Sequence, residues 1–208
     1  MPIRAILWDL GNTLVDWDPR RLYRKLLPSD AAVEDFLGGV CTLAWHARHD
    51  AGVPMAQNRQ ALIEAHPGKA DLILAWQERW DEMFDGPVER MDRLFEETRA
   101  LGLKQYALSN LPAEKWPPLR AMYPFLDRLD AAVITGEEGV IKPDPAIFEI
   151  TKARIATAPE ETLFIDDRAE NIAAGERAGF PGLVFEGEAK LRRDLARLGV
   201  KLAPPGGG

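Results

Sequence analysis

Five short apolar runs, each bounded by turn residues, recur along the chain: Ile3 to Trp8, Leu103 to Leu108, Ala131 to Ile134, Thr162 to Ile165 and Gly182 to Phe185. Runs of this length that stay apolar instead of alternating predict strands buried on both faces. Helical spacing of apolar positions covers Pro87 to Leu101, Pro112 to Met122, Pro145 to Ile155, Ala169 to Ala178 and Ala189 to Leu198. Strands alternating with helices predict an α/β fold, a parallel sheet with helices on both faces. Pro87 just inside a predicted helix and Gly102 just past its end sharpen those boundaries.

One stretch breaks this rhythm. From Asp18 to Gly86 no segment reads as a strand. Asp18-Pro19 is an N-cap followed by proline at the first helical position, and Leu22, Leu26 and Leu27 then share a face. Gly38-Gly39, Gly52-Val53-Pro54 and Pro67-Gly68 divide the rest of the stretch into further helices. In the last of them Leu72 or Ile73, Trp76, Trp80 and Phe84 form one stripe that needs a partner surface. The pattern predicts a small helical bundle inserted after the first strand.

Composition adds limits to this picture. The chain has 208 residues, enough for one domain or one domain plus a modest insertion. The single cysteine, Cys41, excludes an internal disulfide and fits a reducing compartment. A net charge of −7 argues against a nucleic-acid partner. No apolar run approaches the roughly 18 to 20 residues of a membrane span, and the amino terminus does not read as a signal peptide, so a cytoplasmic location is the expectation. Residues 204–208, Pro-Pro-Gly-Gly-Gly, read as a flexible tail. The aromatic stripe leaves both a monomer and a homodimer open.

Candidate chemistry gathers at the carboxyl ends of the predicted strands, where sheets of this kind bind ligands. Asp9 follows the first, Ser109-Asn110 the second and Asp166-Asp167 the fourth, and the loop "GEEGVIKPDP" adds Lys142. Each alone has an ordinary use as a turn cap, a backbone partner or a solvated charge. Together they place three carboxylates at one rim, which repel one another unless a cation neutralises them. Oxygen ligands without a His or Cys cluster favour magnesium over zinc. A lysine, a hydroxyl and Asn110 then suit the oxygens of a phosphoryl group.

Four motifs, "WDLGNT", "ALSN", "VIKPDP" and "FIDDRAENIAAG", together resemble those of the haloacid dehalogenase superfamily, a family of hydrolases that are mostly phosphatases. The resemblance spans the chain and implies a Rossmann-like core of residues 1–16 and 87–203, with residues 17–86 as a helical cap over the site. It also implies that Asp9 is the nucleophile that becomes an aspartyl phosphate. Ser109, Asn110, Asn12 and Lys142 would contact the phosphoryl oxygens of a small phosphorylated metabolite. Asp9, Asp167 and the Gly11 carbonyl, supported by Asp166, would hold magnesium, with Asn171 behind them. The wording is similar to a bacterial subgroup that includes sugar-1-phosphate phosphatases and to the phosphatase domain of soluble epoxide hydrolases.

The departure lies at Gly11, where most phosphatases of this family carry a second aspartate as general acid and base. Loss of such a group costs on the order of 100- to 10,000-fold. Three readings stay open. One is a phosphatase whose leaving group needs little help, or whose proton comes from Asp16 or from His46 or His49 in the cap. Another is a 2-haloacid dehalogenase, against which the Asp166-Asp167 pair argues. The last is a slow or non-catalytic phospho-accepting protein. Within the cap, "LAWHARHDAG" offers Trp45, His46 and His49 to the substrate, and Trp116 is a further rim candidate.

Overall fold

A computed structural model describes residues 2–202; the predicted tail, 204–208, and the last position of the expected core, 203, lie outside them. Its strands are β1 (Ala5–Trp8), β2 (Val15–Trp17), β3 (Phe84–Pro87), β4 (Lys104–Ser109), β5 (Ala131–Ile134), β6 (Thr162–Asp166) and β7 (Gly182–Val184). The helices are α1 (Arg20–Tyr23), α2 (Asp30–Gly39), α3 (Leu43–Asp50), α4 (Met55–Ala65), α5 (Ala70–Glu78), α6 (Met91–Ala100), α7 (Trp116–Met122), α8 (Thr135–Glu138), α9 (Pro145–Arg154), α10 (Ala169–Arg177) and α11 (Glu188–Arg197).

Five strands form one parallel sheet in the order β5-β4-β1-β6-β7. The central strand β1 is buried along its whole length, which is why it reads as Ala-Ile-Leu-Trp without a polar break. Its side chains divide between the faces at the period of two. Ile6 and Trp8 join the apolar cluster under α6 and α11, whereas Ala5 and Leu7 face Phe148 of α9 and Ile172 of α10. On the second face Gly175 lets α10 approach, since a Cβ there would lie 2.6 Å from the Phe164 ring. The cluster on the first face runs on into the helical segment between β2 and β3, taking in Tyr23, Phe36 and Trp76.

Three local expectations fail for physical reasons. Pro87 does not start a helix: it ends β3, which pairs antiparallel with β2 through Val15↔Pro87 and Trp17↔Phe84. The two-stranded ribbon escaped the pattern because its strands are short and proline is tolerated at an edge. A turn at Val88–Arg90, with Glu89 and Arg90 at positive φ, then resets the chain before α6. Likewise Trp80 and Phe84 do not extend the helical stripe of Trp76; α5 ends at Glu78, Trp80 lies in a 3₁₀ turn and Phe84 opens β3. Finally, a 3₁₀ turn over Ala113–Lys115 shortens the helix expected from Pro112 to α7.

The loops beyond β4 and β5 are in close contact. Gly136 N donates to Leu111 O at 3.1 Å, and a Cβ at 136 would lie 2.3 Å from Ala113 N. The turn after α3 joins them there: a Cβ on Gly52 would meet Gly136 O at 3.2 Å and the Gly139 Cα at 3.4 Å.

Candidate active site

The parallel sheet delivers the expected groups to one rim. Asp9 leaves β1 with its N–H still tied to Ile165 O at 2.8 Å, Ser109 is buried at the end of β4, and Asp166 ends β6. Lys142 reaches inward from the loop between α8 and α9. Its Nζ donates to Asp9 Oδ1 at 2.8 Å, Asp166 Oδ2 at 2.7 Å and Leu108 O at 2.9 Å, so all three ammonium protons are engaged. Burial alone would lower the Lys142 pKa, but the two carboxylates more than offset it and hold the ammonium above its ordinary value. Burial raises the Asp9 carboxyl, with Lys142 opposing and Asp166 and Asp167 adding to the rise.

The two neighbouring aspartates differ sharply. Asp166 is fully buried and saturated: Lys142 takes Oδ2, while Oδ1 accepts from Arg168 N at 2.8 Å and Asn171 Nδ2 at 2.9 Å. It orients Lys142 and holds the turn that leads into α10 through the Arg168 N–H. Asp167 is exposed, and its carboxyl is also raised, first by burial of its surroundings and then by Asp166. Asp9, Asp166 and Asp167 each place an oxygen within 4.8 Å of the others. Asn171 Oδ1 is buried beside them with no hydrogen-bond partner. An all-oxygen set carrying this much negative charge, next to a buried acceptor in want of a donor, fits a hydrated magnesium ion. Asp9 and Asp167 fit direct ligation better than Asp166, whose lone pairs are taken.

Several other candidates occupy different places from those expected. Asn110 clamps the main chain of Lys142: its Oδ1 accepts from Lys142 N at 2.9 Å and its Nδ2 donates to Lys142 O at 3.1 Å. Asn12 sits in a left-handed turn, φ 58°, with Oδ1 accepting from Trp17 N at 3.0 Å. Asp16 pairs with Arg21 at 2.5 Å. Trp45, His46 and His49 pack within the helical segment, with His49 also lining a small cleft against the loop after β4. The Trp45 Nε1 donates to Asn58 O at 3.3 Å, and His46 lies between the rings of Trp17 and Trp76. Trp116 opens α7 beneath the Arg120 guanidinium, 5.6 Å from its ring centre.

One buried titratable group on this side was not anticipated: Asp50, the last residue of α3, only 7% exposed. No sequence signal marks it, since an aspartate at a helix end next to Ala-Gly reads as solvated. A larger cleft, of about 440 Å³ beside Arg4, Lys104 and Glu161, lies at the amino ends of the strands, far from this chemistry.

The family model for haloacid dehalogenase-like hydrolases matches residues 3–179. The chain belongs to that family. Among the relatives of this haloacid dehalogenase-like hydrolase, a sesquiterpene phosphatase of Aspergillus oryzae is 26% identical over 180 residues, covering 86% of this chain and 88% of the relative. A family enzyme of Bacteroides thetaiotaomicron, solved with magnesium and inorganic phosphate, superposes with a TM-score of 0.68 at 21% identity, covering 89% and 95% of the two chains. An L-2-haloacid dehalogenase of Xanthobacter autotrophicus, with chloropropionic acid covalently bound, superposes with a TM-score of 0.65 at 18% identity, covering 97% and 85%. Both structural likenesses are likenesses of fold. No helix among the described residues is long and apolar enough to cross a membrane.

Proposed function

We propose that this hydrolase is a magnesium-dependent phosphatase that cleaves a small phosphorylated metabolite by way of an aspartyl phosphate on Asp9. The observation that carries the reading is the buried Lys142 ammonium between Asp9 and Asp166, with Asp167 alongside. A dehalogenase has no use for a third carboxylate beside its nucleophile, whereas a phosphoryl group brings charge that a cation must offset. The likeness to a sesquiterpene phosphatase supports the same reading.

In this reading Asp9, Asp167 and the Gly11 carbonyl would hold magnesium, whose charge, when bound, offsets that of the phosphoryl oxygens. Lys142 orients Asp9 through Oδ1, leaving Oδ2 to attack phosphorus. Ser109, at the end of β4, hydrogen-bonds a phosphoryl oxygen, and Asn110 acts by fixing the Lys142 backbone. Residues 17–86 act as a cap that screens the site from water and selects the leaving group. We place the enzyme in the cytoplasm, as a monomer or homodimer, on composition alone.

The test is phosphate release from a panel of phosphomonoesters with magnesium, sugar phosphates first, alongside Asp9→Asn and a chelator. Release that needs both Asp9 and magnesium supports the reading. No release from any ester overturns it, as does halide release from 2-chloropropionate without magnesium.

A further inference from the structure

The turn after Asp9 contains no free acid: Gly11 has no side chain and Asp16 is paired with Arg21. A buried carboxyl at the end of α3 is the alternative. Asp50 is buried, and its Oδ1 has no hydrogen-bond partner. Through Ala51 and Gly52 the end of α3 is set against Gly136 in α8 and Gly139 at its end, just ahead of the loop that carries Lys142. The charges of Lys142 and Asp9 both act on Asp50 across that junction.

We propose that Asp50 is the general acid and base of the reaction at Asp9, supplying from the helical segment the proton transfer that residue 11 cannot. The proposal rests on the phosphatase reading above.

Beside Asp50 lies a chain of neutral groups whose direction is set at its far end. Asn58 Nδ2 donates to Trp45 O at 3.0 Å and meets His49 Nε2 at 2.8 Å. A carbonyl can only accept, so the amide nitrogen must face Trp45, and its second proton goes to His49 Nε2. His49 then carries its own proton on Nδ1, which points at His46 Nδ1, 3.4 Å away. His46 is left with its proton on Nε2, 3.5 Å from Asp50 Oδ1, within ion-pair reach but outside hydrogen-bond geometry. Burial lowers His46 to about 3 and His49 to about 4, so both are neutral near pH 7. Asp50 is thus offered a proton-bearing nitrogen without a fixed positive charge that would trap it as a carboxylate.

The groups bearing on Asp50 are therefore His46 from its own helix, Lys142 from the loop before α9 and Asp9 after β1. Burial raises the Asp50 carboxyl to about 7, Lys142 working against the rise and Asp9 with it. Its place at the carboxyl end of α3, the negative pole of the helix, acts in the same direction. A carboxyl poised there is half protonated at the working pH, as an acid–base group should be.

In the first step Asp9 Oδ2 bonds to phosphorus, the bond from phosphorus to the leaving oxygen breaks, and that oxygen takes the Asp50 proton and departs as an alcohol. In the second, water gives a proton to the Asp50 carboxylate while its oxygen bonds to phosphorus. The bond from phosphorus to Asp9 breaks, which releases inorganic phosphate and restores both aspartates.

The test compares wild type with Asp50→Asn on p-nitrophenyl phosphate, whose leaving group needs no proton, and on glycerol 2-phosphate and glucose 6-phosphate, whose leaving groups do. The variant is expected to lose roughly 100- to 10,000-fold in kcat on the alkyl esters, with KM little changed. It should still release a first equivalent of nitrophenolate per site at the wild-type rate, then turn over slowly as aspartyl phosphate accumulates. The alkaline limb of the wild-type pH profile, near 7, should vanish with it, and His46→Phe should shift that limb. An Asp50→Asn protein that keeps alkyl-ester kcat within about threefold overturns the proposal. Loss of the nitrophenolate burst also overturns it, because the defect then lies in Asp9. Wild type that cleaves p-nitrophenyl phosphate but no alkyl ester overturns this proposal alone, whereas wild type that cleaves nothing brings down the phosphatase reading and this with it.

Discussion

Two buried ionisable side chains on either side of the site, Lys142 and Asp50, are accommodated by opposite means. On the sheet side every charge is answered: Lys142 fills its three protons on two carboxylates and a carbonyl, and Asp166 is in turn capped by Arg168 and Asn171. On the helical side a carboxyl is left without a hydrogen-bond partner, beside a neutral imidazole. Pairing fixes a charge, whereas desolvation makes it easy to remove. A site that must hold phosphate firmly and also move a proton has a use for each.

The largest effect expected is at the nucleophile. Asp9→Asn should lower phosphate release on the order of 10,000-fold or more while the protein stays folded, read from steady-state rates beside a melting curve. Residual activity within tenfold of wild type would remove Asp9 from the chemistry. Lys142→Met should break the sheet side altogether, since two buried carboxylates lose their cation; about 3–5 kcal/mol of stability should go with it in denaturant unfolding. Asn110→Ala frees a buried Lys142 N–H and C=O, and about 1–3 kcal/mol is the expected loss.

A smaller but sharper contrast comes from pH. The folded protein holds the Asp50 proton more tightly than the unfolded chain, about 7 against 3.8. The stabilisation by this group is full below the unfolded value and is lost as pH rises through 7. Wild-type Tm should therefore fall across that window, and Asp50→Asn should flatten that part of the slope, giving a variant more stable than wild type at pH 8 but not at pH 4. Calorimetry showing parallel curves would place Asp50 among ordinary solvated acids. Smallest of all, Arg20→Ala removes an exposed pair with Glu34 and should leave Tm unchanged.

The sheet side was legible because each apolar run ends at a fixed address. Asp9, Ser109, Lys142 and Asp166-Asp167 follow strands or a proline-marked loop, and parallel topology brings such ends together whatever the details of packing. The fold beyond the sheet was less legible. The β2–β3 ribbon pairs residues far apart in sequence across short strands, and a proline within it imitates a helix start. Asp50 was missed for another reason: its environment is made by docking α3 on the Gly136 loop, and no local pattern records what a helix end will meet. Trp45 and His46 pack on Trp76, a contact between two helices that no local pattern records either. Gly11 was read for what it lacks, and the compensating carboxyl lies 39 positions further on.

Gly136 is where the main chains of three segments come within contact of one another: the loop after β4, the short helix α8 that follows β5, and the turn after α3. With no room there for even a methyl group, the two core loops form a single floor whose shape is locked. Grafting either loop from a relative without the other would jam the joint, and random mutagenesis of that floor would return mostly unfolded protein. Diversity in what this scaffold accepts has to enter away from that floor, and also away from the buried His46, His49, Asp50 and Asn58.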